Sequence, residues 1–167
     1  MRTLLLPLAP LLLLAACSAD APALPGSNQK IDPVAFFTGP SHGVGTISIL
    51  FKGTQPLRVD SFGHSDGRGG IILDQTVYPG SDAPKNRRWA FRPTSPTTLT
   101  GALSDASGPV TGSMSGNTLN LAFPMKGGLD ATQALILQPG GRILINHMAV
   151  KKFGLTVATI EERITKG

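Results

Sequence analysis

Hydrophobic and polar positions alternate along most of this chain from residue 46 onward. Thr46 to Lys52 sets Ile47, Ile49 and Phe51 on one face, and Leu57 to Phe62 follows after Gln55-Pro56. A period of two marks strands with one buried and one solvated face. The pattern continues through Ile71 to Tyr78, Arg87 to Arg92 with Trp89 and Phe91 on one side, Thr97 to Leu103 and Val110 to Met114. Thr118 to Phe123, Thr132 to Gln138 and Arg142 to Val150 complete the clear runs. Leu155 to Ile164 fits neither the strand nor the helix period cleanly, and we read it as a final strand. On alternation, Ile143, Ile145 and Met114 are candidates for an inner wall.

Turn chemistry separates these runs. Asp66-Gly67, Gly69-Gly70, Pro79-Gly80, Ser115-Gly116-Asn117 and Pro139-Gly140-Gly141 are tight-turn or loop signals. The one helical signal is Val34-Ala35-Phe36-Phe37, with Asp32 as N-cap, Pro33 at the first helical position and Gly39 beyond the end. Eight to ten short hairpin-linked strands predict an all-β fold, an antiparallel sheet closed on itself, because closure removes strand edges. The expected architecture is a small up-and-down barrel of lipocalin (calycin) type. Gly101, Ala102, Gly112, Ala122 and Ala134 would leave room inside it, while the many Ile, Leu and Phe would fill it.

The N-terminus follows a different pattern. Arg2 precedes a leucine-rich stretch from Leu4 to Leu14, then Ala15-Ala16-Cys17. This is the order of a bacterial lipoprotein leader: a positive region, an apolar region, small residues at the cut and a cysteine to acylate. A spanning helix needs about 20 apolar residues, and Pro7 and Pro10 interrupt this shorter run. The expectation is cleavage between Ala16 and Cys17, lipidation of Cys17 and membrane attachment through that anchor, stable because more than one chain is added. Cys17 is the chain's single cysteine, so its thiol is consumed in the anchor. Ser18, rather than aspartate, follows it, which favours the outer membrane and a periplasm-facing position. Residues 1–16 are thus read as leader, 17–31 as lipidated terminus and Ala/Pro/Ser-rich tether, and 32–167 as one barrel domain.

Charge and composition narrow the function. The chain carries 15 Lys and Arg against 10 Asp and Glu, a net charge of +5. The basic residues are scattered apart from Lys85, Arg87, Arg88 and Arg92, and one Trp, one Tyr and seven Phe do not interleave with them as stacking platforms. Nucleic acid is therefore excluded as a partner. The basic excess suits an anionic membrane surface or an acidic ligand.

No catalytic, metal or cofactor constellation is legible. His64-Ser65-Asp66 has the residue types of a hydrolytic triad but lies in a glycine-flanked turn, and no Gly-x-Ser-x-Gly elbow occurs. His42, His64 and His147 with Asp60, Asp66 and Asp74 lack zinc-ligand spacing. Gly67 to Gly70 precedes a strand, not the helix N-terminus of a phosphate loop. Glu161-Glu162 is expected on a solvated face. The chain is accordingly read as a non-enzyme.

Several blocks resemble a known family. Phe36-Phe37-Thr38-Gly39 with Gly45, then Arg87-Arg88-Trp89, Asp105 with Gly108 and Gly112, Gly116-Asn117-Thr118-Leu119, Leu144-Ile145-Asn146 and Lys152-Phe153-Gly154 are similar, in order and spacing, to the bacterial lipoproteins of domain of unknown function 3833. The resemblance covers about Asp32 to Lys166. It implies a lipid-anchored envelope protein with a lipocalin-like barrel, no assigned activity, and genes often close to those for fatty-acid-modifying enzymes. Family members usually carry an acidic, Trp-containing stretch where Thr132-Gln133-Ala134-Leu135-Ile136 stands, and arginine where His147 stands. If those groups line the family's pocket, the pocket here is more apolar or has lost its ligand.

Arg87, Trp89, Asp105 and Asn146 are the candidate ligand-binding residues. An arginine and an asparagine among apolar walls would hold the head of a fatty-acid-like molecule, with Trp89 along its chain. The structural alternative is that Trp89 and Arg87 close one barrel end while Asp105 holds its own turn. Two function classes follow: a carrier of a small lipid-like molecule, or a solid barrel acting on an envelope partner through its surface. A lipid-modifying enzyme ranks third. Cavity volume separates the first two.

Overall fold

The computed structural model describes residues 29–167. After a five-residue helix α1 (Pro33–Phe37), ten antiparallel strands follow: β1 (Gly39–Ile49), β2 (Gly53–Ser65), β3 (Ile71–Pro79), β4 (Lys85–Ser95), β5 (Thr98–Leu103), β6 (Val110–Ser115), β7 (Thr118–Met125), β8 (Leu129–Leu137), β9 (Ile143–Lys152) and β10 (Leu155–Lys166). Each strand pairs with the next, and β1 pairs with β10, so the barrel is closed and up-and-down throughout. Leu155 to Ile164 is the strand that closes it, as expected. All ladder edges are satisfied by the neighbouring strand, which removes the templates for edge-to-edge association.

Helix α1 forms where the capping signals place it. Asp32 Oδ1 accepts from Ala35 N at 2.9 Å, and Pro33 occupies the first turn. The helix lies across one end of the barrel, with Phe36 and Phe37 buried. Ile31, assigned to the tether, is also in the core, and its N–H donates to Gly116 O at 3.0 Å. A single hydrophobic residue between polar neighbours has no period, so its burial under the lid was invisible along the chain. At the same end, Lys166 Nζ donates to the Ala35 carbonyl. The opposite end is a rim of hairpin loops.

β1 begins seven residues earlier than alternation predicts. Its inward positions, Ser41, Gly43 and Gly45, offer no hydrophobic period. Phe51 does not share a face with Ile47 and Ile49. It sits in the β1–β2 turn, with φ +68° and 98 % exposed.

In β9 the expected face is reversed. Leu144, Asn146, Met148 and Val150 are buried, whereas Ile143 and Ile145 are only partly so on the other face. The β8 and β10 registers, Leu137↔Leu144↔Ile164 and Leu135↔Asn146↔Glu162, fix this choice. A strand with apolar residues in both registers cannot declare its inner face by alternation alone. Met114 does pack against the core.

The core runs the length of the barrel, from Phe37, Ile71 and Leu137 at the lid through Trp89, Leu119 and Leu135 to Leu103 and Val150 near the rim. Trp89 packs edge-on against Phe123, with ring centroids 5.3 Å apart. Ala102 and Ala122 are exposed on the outer face. Gly112 leaves little space because Leu99 and Leu121 side chains stand within 3 Å of where its Cβ would be.

Candidate functional site

The polar groups inside the barrel gather into one belt. On β4, Arg87, Trp89 and Phe91 share the inner face, and Gln75 follows Leu73 inward on β3. The register Gln75↔Arg87 sets those two side by side. Gln75 Oε1 accepts from Arg87 Nε at 2.8 Å and from Trp89 Nε1 at 2.9 Å, while its Nε2 donates to Ser61 Oγ at 2.9 Å. The guanidinium carbon also lies 5.8 Å from the Trp89 ring centre. One glutamine thus orients two of the four candidate ligand-binding residues.

Glu162 and Asn146 form the other half of the belt. Glu162 was expected on a solvated face, but it is buried, 7 % exposed, on the inner side of β10. Asn146 Nδ2 donates to Glu162 Oε2 at 2.9 Å, across the Glu162↔Asn146 register. The reason it escapes sequence reading is Gly43: a Cβ there would stand 1.8 Å from Glu162 Oε1. Two glutamates in succession look like a solvated pair, yet in a strand they must point to opposite sides. Glu161 takes the outer face beside His147.

Burial pushes the Glu162 carboxyl above its ordinary value, partly offset by the Asn146 hydrogen bond and the Arg87 charge. Burial likewise pulls the Arg87 guanidinium down, against the opposing charges of Glu162 and Asp105. Three side-chain oxygens, Asn146 Oδ1, Gln133 Oε1 and Ser41 Oγ, are buried without a hydrogen-bond partner. Each such atom costs about 1–3 kcal/mol. Within an apolar barrel this belt is a concentration of desolvation cost that packing does not require.

A void of about 40 Å³ lies against the belt, bordered by Arg87, Gln75, Glu162, Gln133, Trp89 and Phe37 among others. That is room for one or two water-sized groups. Pockets for drug-sized ligands occupy roughly 300–1,000 Å³. The interior is nearly filled.

The four candidate residues separate accordingly. Arg87 and Trp89 border the void, and Asn146 reaches it through Glu162. Asp105 stays in the β5–β6 loop, where its Oδ1 accepts from Ser104 Oγ at 3.0 Å, and acts on Arg87 only through charge. Gln133 lies in the stretch where the chain departs from the family pattern, and it faces the void. His147 is exposed on the outer wall. Ala16 and Cys17 lie outside the described residues.

The remaining clusters have local roles. Asp66 Oδ1 accepts from Arg68 N at 2.7 Å and Gly70 N at 2.8 Å, and Oδ2 takes a hydrogen bond from Arg92. These contacts close the β2–β3 loop and hold the Asp66 carboxyl at about 2. His42 pairs with Asp60 at 3.1 Å. Asp74 holds Arg88 at 2.6 Å.

The family described as protein of unknown function DUF3833 matches residues 11–166. The chain belongs to that family. Among solved structures it is similar to the S-type phycobiliprotein lyase CPES from Guillardia theta. The TM-score is 0.62 at 7 % identity, over 80 % of this chain and 90 % of that one. At that identity the likeness establishes the barrel fold. Among curated proteins none matches. For this DUF3833 member the belt around Arg87 is therefore the feature from which a function has to be argued.

Proposed function

We propose that this DUF3833 protein binds the anionic head of a small amphipathic molecule at Arg87, inside a barrel tethered to the envelope by an acylated Cys17. Arg87 carries the reading. Its guanidinium sits in an apolar wall, is anchored at Nε by Gln75, and faces a void shared with Glu162 and Gln133. A planar guanidinium held in this way suits a carboxylate or phosphate. A protonated Glu162 would donate a further hydrogen bond to such a head, whereas an ionised one would repel it, so binding would strengthen toward acid pH. The fold's likeness to a phycobiliprotein lyase supports a barrel that handles small molecules.

The 40 Å³ void accommodates a head group but no tail, so a ligand's apolar part would have to displace buried side chains such as Phe37 of the α1 lid. The same figure favours a second reading, a filled barrel that works through its outer surface. Native mass spectrometry with lipid extraction, on the chain from Ser18 purified from a bacterial periplasm, separates the two. The expected result is a stoichiometric acidic lipid that is lost in Arg87→Met. A clean apo mass, with no fatty acid raising the melting temperature, would transfer the assignment to the filled barrel.

The envelope assignment rests on the leader's residue order. Labelled palmitate should enter the full-length chain in a bacterial host and the labelled protein should fractionate with the outer membrane. Cys17→Ser should abolish labelling, and a Cys17→Ser chain that still incorporates palmitate would refute the anchor.

A further inference from the structure

The rim opposite the α1 lid carries an unusual surface. Among the described residues, six large hydrophobic side chains are exposed, and four of them, Leu50, Phe51, Phe153 and Leu155, lie at the tips of just two hairpins. The turns are neighbours, because β1 pairs with β10 up to Ile49↔Ala158 and Leu50 N donates to Val157 O at 2.9 Å. Phe51 is 98 % and Phe153 91 % exposed.

Both phenylalanines also have left-handed backbones, φ +68° and +51°. Left-handed turn positions favour Gly, Asn or Asp. A bulky aromatic there is strained, and strain of this kind concentrates at functional surfaces.

Charge surrounds the same arc. Lys52 flanks Phe51, Lys151 and Lys152 precede Phe153, and Lys126 tips the adjacent β7–β8 turn, all four exposed. The Lys152 ammonium lies 5.7 Å from the Phe153 ring centre. The acid on this arc is Asp130, paired in register with Lys151. The remaining rim loops, between β3 and β4 and between β5 and β6, hold no exposed large hydrophobic side chain and carry Asp82 and Asp105, with Lys85 where β4 begins.

We propose that this arc docks the barrel, rim first, on an anionic lipid bilayer. The hairpin tips would place the two phenylalanines and two leucines at the headgroup boundary, and the lysines would extend their ammonium groups to lipid phosphates. The part of the rim without exposed large hydrophobic side chains turns away, which fixes a tilt. Protruding turns fit a deformable lipid surface better than a rigid protein face. The surface is independent of the Arg87 belt, and it is compatible with an acylated Cys17. The 12 residues from Ser18 to Gln29 reach at most about 40 Å, against a barrel height of roughly 30 Å for tilted strands of this length.

Flotation with vesicles tests the proposal, using the chain from Ser18, which contains the closed barrel and its lid without the leader. Vesicles with 30 % phosphatidylglycerol in phosphatidylcholine should bind the protein, and pure phosphatidylcholine should bind it at least 10-fold more weakly. Each Lys→Gln change at Lys52, Lys126 or Lys152 should weaken binding about 5-fold. Phe51→Asn with Phe153→Asn should weaken it at least 10-fold with the melting temperature maintained or raised, since asparagine accepts the left-handed backbone. Absence of binding to the anionic vesicles overturns the proposal, as does binding that the Asn pair leaves unchanged. Self-association of the wild type that the Asn pair abolishes would assign the surface to a second copy of the chain and also overturn it.

Discussion

Gly43 on β1 lies directly against the Glu162 carboxylate of β10, so close that a Cβ would stand 1.8 Å from Oε1. The missing side chain is what admits a carboxylate to the barrel interior. Gly43→Ala should therefore destabilise the domain by about 1–3 kcal/mol, because the buried carboxyl group must shift within the packed interior and strain its hydrogen bond from Asn146. Combined with Glu162→Ala, the cost of the alanine at 43 should largely vanish. Urea midpoints of the two single variants and the double variant measure this coupling. Additive losses would mean that the contact carries no energy.

The pH dependence of stability should have two limbs of opposite origin. Glu162 is held above its ordinary 4.5, so its contribution is complete below that value and is lost as pH rises through its folded pKa. Asp66 is held at about 2 against an ordinary 3.8, so its contribution is present above 3.8 and is lost as pH falls toward 2. Glu162→Gln should flatten the decline on the neutral side and leave the acid limb. Asp66→Asn should shrink the acid limb, with Asp74, also lowered by Arg88, keeping part of it. Urea midpoints across pH 2–8 decide it, and a neutral-side decline that survives Glu162→Gln would contradict the assignment.

The inner face of β9 can be read from alanine substitutions. Leu144 has no exposed surface, so Leu144→Ala should cost about 2–5 kcal/mol. Ile143→Ala and Ile145→Ala, on the partly exposed face, should each cost clearly less. Equal losses at 144 and 145 would overturn the register.

Trp89→Phe removes the indole hydrogen bond to Gln75 while retaining much of the edge contact with Phe123. A loss of about 0.5–1.5 kcal/mol is expected, the net worth of one hydrogen bond, since Gln75 Oε1 keeps its bond from Arg87 Nε. If the same variant also retains less of a co-purifying acidic lipid, the tryptophan serves the head-group site through Gln75. A pure stability loss would leave it as packing.

Sequence reading succeeded where local chemistry was sufficient. Asp32, Pro33 and Gly39 bracket the helix whatever lies beyond them, and alternation in β7 marks a strand because Leu119, Leu121 and Phe123 share one register while Thr118 and Asn120 take the other. The same signals failed where both registers were alike, as in β9, or where the inner register was small, as at Ser41, Gly43 and Gly45. Of the polar belt, Arg87, Trp89 and Asn146 stood out by residue type in an apolar context. Gln75, Gln133 and Glu162 did not, since each looks like an ordinary solvated strand residue.

The sequence by itself determined the element types, the hairpin connectivity and the all-β class, because these depend on neighbours within a few positions. Tertiary structure alone decided which face of each strand turned inward, that Glu162 found its space beside a glycine more than a hundred residues away, and that two distant hairpins brought Phe51 and Phe153 to one rim. Those outcomes depend on the closing β1–β10 register, and pairing between the chain's ends leaves no mark in either segment's local pattern.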